Sequence, residues 1–145
     1  MRKFIQWMAN FFPSITVFLD NQVKYLTRYY VFGKDRKLGN IFIHQFHSSD
    51  ELGELHSHPW SWSVGLILVG GYVEERRMKD DSVKSFRRRP FTFNFITKND
   101  FHRVDLIDDD CWTLFIAGPR TKSWGFWDRN TKVFRDWTTN PNSIA

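Results

Sequence analysis

Two histidines, His56 and His58, are separated by a single residue and are followed by Pro59. Side chains alternate between the faces of a β-strand, so histidines at positions i and i+2 point the same way. Pro59 favours an extended backbone here, because the residue before a proline is pushed out of the helical region. Two imidazoles on one face can chelate a metal ion, and His102 is the candidate third ligand. The alternative is that both are ordinary polar residues at the start of a strand.

Short segments with strand character must position these histidines, and they follow one another through most of the chain. The predicted strands are 14–19, 23–32, 40–46, two within 56–72 with a break near Pro59, 73–78, 83–88, 91–96, 101–106 and 111–117. Turns or polar loops are predicted at 33–36, 48–54, 79–82, 97–100 and 108–110. Strands of this number and spacing predict an all-β fold, a closed antiparallel barrel or jelly roll, because closure removes exposed strand edges.

The order of elements resembles the cupin superfamily. The first motif of that superfamily reads H-x-H, then three or four residues, Glu, six residues and Gly. His56, His58 and Gly70 match this motif, whereas Ser63 stands where the superfamily usually has a metal-binding Glu.

The second motif of the superfamily reads P-x-G-x-x-H. His102 keeps the histidine of this motif, while Thr97 and Asn99 replace the Pro and the Gly. Asn tolerates the left-handed conformation that the Gly serves. The resemblance covers roughly residues 40–120.

The resemblance implies a metal site with three histidines and no carboxylate, similar to the thiol-dioxygenase cupins, which use ferrous iron. This resemblance favours Fe(II). Neutral imidazoles also suit other divalent ions, so Zn, Ni, Cu or Mn are the alternatives. Three protein ligands leave coordination positions open for water or substrate, as in catalytic sites.

An iron site of that type implies an arginine nearby that binds an anionic substrate, and Arg28 and Arg103 are candidates. Strand alternation places Arg103 on the face opposite His102, which makes it the weaker of the two. His44 lies in an apolar strand that would line the barrel, as a substrate-binding residue rather than a ligand. The candidates for substrate binding are His44, Arg28, Trp60, Trp62, Ser63 and Arg103. For either tryptophan alone, core packing is the simpler interpretation.

The charge of the chain favours an anionic partner. Its 145 residues carry a net charge of +5, concentrated in the basic stretch 76–89. A nucleic-acid partner for this predicted hairpin is the alternative, but interspersed acidic residues favour a solvated face. The single Cys111 excludes an internal disulfide framework and fits a reducing compartment, so a cytoplasmic location is predicted.

The amino-terminal segment 4–12 has the apolar spacing of an amphipathic helix of about three turns. We expect it to cap the barrel, with weak membrane-surface attachment as the alternative; no apolar run is long enough to span a bilayer. The whole chain is predicted to be one domain: a helix and lead-in strand at 1–24, the barrel at 25–120 and an aromatic-rich extension at 121–145.

These observations predict a metal-dependent cupin enzyme, an iron-dependent oxygenase acting on a small anionic or nucleotide-like substrate. The alternatives are a cupin module that binds a ligand without chemistry and a nucleic-acid-interacting protein. The sequence leaves assembly as a homodimer open.

Overall fold

The computed structural model describes residues 1–19, 22–32, 37–50 and 53–139. Short strands dominate this part of the chain, and the turn predicted at 33–36 lies outside it. The elements are α1 (Arg2–Ala9), β1 (Ser14–Phe18), β2 (Lys24–Tyr30), β3 (Asn40–Phe46), β4 (Glu54–His56), β5 (Trp62–Val69), β6 (Tyr72–Arg77), β7 (Val83–Arg88), β8 (Phe93–Thr97), β9 (His102–Leu106), β10 (Cys111–Ala117), β11 (Gly125–Asp128), β12 (Phe134–Asp136) and a final 3-10 turn (Trp137–Thr139).

The strands form two six-stranded antiparallel sheets. Sheet A has the order β1-β2-β3-β10-β5-β8, and sheet B has the order β12-β11-β4-β9-β6-β7. Strands that are distant in sequence become neighbours, as when β4 pairs with β9. The predicted all-β antiparallel fold with a short amino-terminal helix is confirmed.

The space between the sheets holds an apolar core. Ile67 of sheet A packs with Val104 of sheet B and with the buried thiol of Cys111. An aromatic cluster of Phe42 and Phe115 continues this core along sheet A. Residues of alternate parity on the same strands point outward, so each strand presents one face to the interior.

Helix α1 lies on the outer face of sheet A. Its buried residues Ile5 and Ala9 pack against Tyr29, Ile43 and Trp112, which point away from the barrel interior. The expectation that this helix caps the barrel is therefore wrong, although the helix does pack against the sheet. No helix in the described part of the chain is long and apolar enough to cross a membrane.

Both chain ends add strands to the sheets. β1 pairs with β2, and β11 pairs with β4 and with β12. The segments predicted as a lead-in at 1–24 and an extension at 121–145 therefore supply strands of the two sheets through their described residues.

Candidate metal centre

Three histidines meet on neighbouring strands of sheet B. His56 of β4 lies directly opposite His102 of β9, and His58 lies two residues beyond the end of β4. One ring nitrogen from each histidine lies within 4.8 Å of those of the other two. The ring centroids are 4.6 to 5.1 Å apart. The three candidate ligands of the sequence are thus brought together.

Hydrogen bonds fix the proton positions on two of these rings. His102 Nδ1 lies 2.8 Å from Glu74 Oε1, and a carboxylate can only accept, so Nδ1 carries the ring proton. His102 Nε2 then offers a lone pair, and the Nε2–H of His58 donates to it at 2.8 Å. The lone pair of His102 therefore points toward the other two histidines.

Burial favours the neutral form of His56 and His58. Burial is the main cause that lowers the pKa of His56 to about 4, since the nearby Asp50 carboxylate offsets only part of the cost of charging the ring. Burial, with His102 and His56 nearby, also holds the pKa of His58 well below its usual value. Neutral imidazoles are the form that binds metal ions.

Glu74 stands behind His102 and is fully buried. Its carboxylate accepts hydrogen bonds from Arg76 Nη2 at 2.9 Å, Arg88 Nη2 at 2.7 Å and Asn94 Nδ2 at 2.9 Å. Burial alone would raise the pKa of Glu74, but His102, Arg76 and Asn94 outweigh burial and hold it well below the usual range. Glu74 therefore stays ionised and fixes the orientation of His102.

Asp50 stands behind His56. Its Oδ2 lies 3.4 Å from His56 Nδ1 and accepts the backbone N–H of Val104 at 2.6 Å. Carboxylates beside the outer nitrogens of metal-binding histidines raise ligand basicity and fix ring orientation. Two of the three histidines have such a carboxylate.

The donor set fits a divalent ion. Two ligand nitrogens that meet at right angles about 2.1 Å from one ion are about 3 Å apart. The separation of 2.8 Å between His58 Nε2 and His102 Nε2 is close to this value. Binding of an ion here would displace the proton that His58 shares with His102.

Arg28 and His44 lie together on sheet A, beside the histidine cluster. Arg28 Nε donates to His44 Nε2 at 3.0 Å, and the Arg28 guanidinium lies 5.6 Å from the Trp60 ring. Trp60 in turn stacks on His58 with ring centroids 5.5 Å apart. Trp60 thus connects the arginine with the candidate ligands, and burial holds the pKa of His44 well below its usual value.

The other three substrate candidates are placed differently. Trp62 is 40% exposed and its indole packs on Gly118, because the bend at Ser61 puts Trp60 and Trp62 on different faces. Trp62 therefore does not join Trp60 beside His58, although their spacing of two residues on one strand would predict a shared face. Ser63 is buried, and its hydroxyl lies 3.4 Å from the Ile96 carbonyl. Arg103 bonds to Glu75 on the outer side of sheet B, as strand alternation predicts.

The basic hairpin of β6 and β7 directs part of its charge inward. Arg76 and Arg88 bond to the buried Glu74, and Arg77 pairs with Asp81. Arg76 and Arg88 are therefore neutralised within the fold, whereas Arg77 is offset at the surface by the partly exposed Asp81.

Comparison with solved structures identifies the fold. Fe(II)-HppE with its alternative substrate (S)-1-HPP superposes with a TM-score of 0.60 at 11% identity, over 75% of this chain and 57% of HppE. A predicted oxalate decarboxylase from Thermotoga maritima gives 0.58 at 12% identity, over 77% of this chain and 96% of its own. This chain has the cupin fold.

A third cupin of known structure is the oxalate decarboxylase of Bacillus subtilis, studied for its Mn(II) centres. It gives a TM-score of 0.53 at 16% identity, over 69% of this chain and 27% of its own. This chain spans little more than half the length of HppE. No protein-family model and no curated protein matches its sequence.

Sequence reasoning did not assign Glu74 and Asp50 to the candidate metal centre. For Glu74 a signal exists, because parity with His58 would let it line the interior. The Gly70-Gly71 pair between them permits a bulge, which makes that parity unreliable. Asp50 lies in a loop, where no periodicity reports its direction.

Proposed function

We propose that this chain is a metal-dependent cupin enzyme that binds one divalent ion through His56, His58 and His102. The observation that carries the proposal is the convergence of three ring nitrogens within 4.8 Å of one another. The buried carboxylate behind His102 supports a metal-binding role, because it orients the ring with its lone pair toward the cluster.

Within this proposal the ion is Fe(II) and the reaction is an oxygenation. Three neutral ligands leave the full charge of the ion uncompensated, so the centre attracts anions more strongly than one that contains a carboxylate ligand. Ferrous iron supplies the electron-transfer chemistry that dioxygen requires. The structural neighbours HppE and oxalate decarboxylase, described with Fe(II) and with Mn(II), support a divalent transition metal.

The residues of the chain have distinct roles in this proposal. Arg28 attracts and orients a small anionic substrate. His44 holds Arg28 in place by accepting a hydrogen bond from its Nε. Trp60 and Phe115 flank His58 with ring centroids 5.5 and 5.9 Å away and limit the access of water to it. Glu74 keeps His102 in one tautomer.

Two alternatives remain as proposals of lower rank. A cupin module that binds metal or ligand without chemistry would share the fold and the histidine cluster. A nucleic-acid partner would use the basic hairpin 76–89, whose inward-facing arginines weaken this alternative. The cytoplasmic location and assembly as a homodimer stay predictions.

Metal analysis of protein purified without a histidine tag tests the proposed centre. We expect about one equivalent of a divalent metal in the wild type and close to none in His58→Ala and His102→Ala. His47→Ala is the matched control, because His47 lies outside the cluster and bonds to Thr27. Full metal content in both cluster variants, with circular dichroism showing an intact fold, contradicts the assignment.

Oxygen consumption separates the enzyme from the binding module. Protein loaded anaerobically with Fe(II) is mixed with air-saturated buffer and a panel of thiols, organic acids, phosphonates and nucleotides. Oxygen uptake that depends on one of these compounds supports the oxygenase. Metal binding without uptake for any compound favours the non-catalytic module.

A further inference from the structure

Three polar side chains form a row across the inner face of sheet A. Arg28 of β2 lies opposite His44 of β3, and His44 lies opposite Thr113 of β10. We call these residues the Arg28–His44–Thr113 row. Side chains directly opposite each other on adjacent strands are in contact range, so the row forms one continuous polar strip.

Thr113 points into the space between the sheets. Its neighbours Trp112 and Leu114 pack with helix α1 on the outer face. Cys111 and Phe115 lie two positions before and after Thr113, on the same face of the strand, and they belong to the interior clusters. Thr113 therefore lies among interior side chains, at 3% exposure.

The Thr113 hydroxyl has no hydrogen-bond partner in the structure. A buried hydroxyl without a partner destabilises a protein, so in a native structure it calls for an explanation, and a functional role is one. The hydroxyl stands beside His44, whose own Nε2 is occupied by Arg28. Its position in the row suggests that its partner is a ligand.

The row presents hydrogen-bond donors. Arginine can only donate, so His44 Nε2 accepts and the proton of the neutral ring is on Nδ1. Arg28 contributes a cationic guanidinium with several N–H groups, and Thr113 contributes an O–H. Clustered donors around a cation match the oxygen atoms of a carboxylate or phosphonate.

We propose that the Arg28–His44–Thr113 row binds the oxyanion end of the substrate, with the Thr113 hydroxyl as the donor that fixes its position. Trp60 and Phe115 stand between the row and His58, each in ring contact with His58. Phe115 also stacks on His44 at 4.9 Å. The substrate class is therefore a short carboxylate or phosphonate whose apolar middle lies along these rings while its other end reaches the histidines.

We place entry to the row at the end of the barrel that holds the histidines, because the residues there are the more exposed ones. Arg28, His58 and Trp60 are half-buried, whereas His44 and Thr113 are buried more deeply. An anion that enters at this end meets the guanidinium first and the hydroxyl last. The inference rests on the proposed function in treating the bound anion as a substrate of the metal centre.

Anion titration of metal-free protein tests the row independently of the metal. Chelator-treated full-length chain is titrated with acetate and with methylphosphonate by calorimetry at fixed ionic strength, with chloride as the reference anion. We expect Thr113→Val to weaken binding of the preferred anion about tenfold or more, since hydrogen bonds to charged groups are strong. The melting temperature of Thr113→Val should not fall, because the lost hydroxyl has no partner.

Thr27→Val is the matched control. Thr27 lies next to Arg28, but its hydroxyl is bonded to His47 and Thr16, away from the interior. The control should keep wild-type anion affinity, and His44→Phe, which keeps a ring in the aromatic stack, should lose it. Equal affinity in Thr113→Val and the wild type, or no binding beyond that of chloride, overturns the proposal. If the protein binds anions at the row but takes up no metal, the proposed metalloenzyme is refuted, whereas the anion-binding role of the row is supported.

Discussion

At the scale of single residues, Glu74 shows how a buried charge is compensated beside the candidate metal ligands. Its fully buried carboxylate joins one candidate ligand, His102, to two arginines and to Asn94 of the opposite sheet. A buried charge is tolerated only when partners of this kind compensate it. The same contacts that keep Glu74 ionised leave it able to hold His102 in one tautomer.

Replacing Glu74 by Gln should weaken metal binding about 10- to 100-fold, the usual effect of losing a carboxylate behind a ligand. A side-chain amide at this position can donate as well as accept, so it would no longer compel His102 to keep its proton on Nδ1. Competition with a metal-indicator dye measures the affinity. Glu75→Gln is the control, because Glu75 bonds to Arg103 and Arg129 on the outer face. Unchanged affinity in a folded Glu74→Gln protein would show that Glu74 only balances charge.

At the scale of elements, the strands with a clear pattern were predictable. β3 and β10 occupy the ranges predicted from their apolar residues, and Pro59 marks the break between β4 and β5. β12 was not predicted, because its three residues carry no alternation and form a strand only through pairing with β11. Trp60 and Trp62 show a related effect. Their spacing of two residues predicts that they share one face of a strand, but the bend at Ser61 places them on different faces.

The face of helix α1 that packs could not be chosen from the sequence, because aromatic residues lie on both sides of it. Ile5 is 5% exposed against sheet A, whereas Phe4 is 61% exposed. Ile5→Ala should lower the free energy of unfolding by about 2–4 kcal/mol through the cavity it leaves. Phe4→Ala should change it by less than about 0.5 kcal/mol. Urea denaturation compares the two, and a larger loss for Phe4→Ala would mean that the helix packs by its other face.

At the scale of the whole molecule, the sequence could indicate the candidate metal ligands but not most of the residues that contact them. His56, His58 and His102 carry spacing that a motif preserves, so the sequence indicates them directly. Glu74 and Thr113 acquire their roles through strand pairing between distant segments, and Asp50 acquires its role through a loop that bonds to Val104 of β9. No local spacing reports either arrangement. The fold class followed from strand number, whereas the composition of each polar cluster depends on registers that only the folded molecule defines.

Several buried imidazoles make the stability of the metal-free molecule depend on pH. The pKa of His56 is lowered to about 4, and burial also lowers the pKa values of His44 and His58. Their pKa values in the unfolded chain are about 6.5, so the unfolded state binds more protons between these limits. The free energy of unfolding therefore falls as the pH drops below about 6.5, and the contribution of His56 is exhausted near pH 4.

Between pH 7.5 and pH 5, His56 alone should lower the free energy of unfolding by about 2 kcal/mol, with further losses from the other two rings. Urea denaturation of chelator-treated protein at fixed ionic strength measures this slope. The buried carboxylates with lowered pKa values add their effect only at lower pH, so this window isolates the histidines. His44→Phe should flatten the slope, because it removes one buried ring that resists protonation. A free energy of unfolding that stays constant across the window would mean that the rings already accept protons in the folded barrel, and a neutral three-histidine centre would then be excluded at acidic pH.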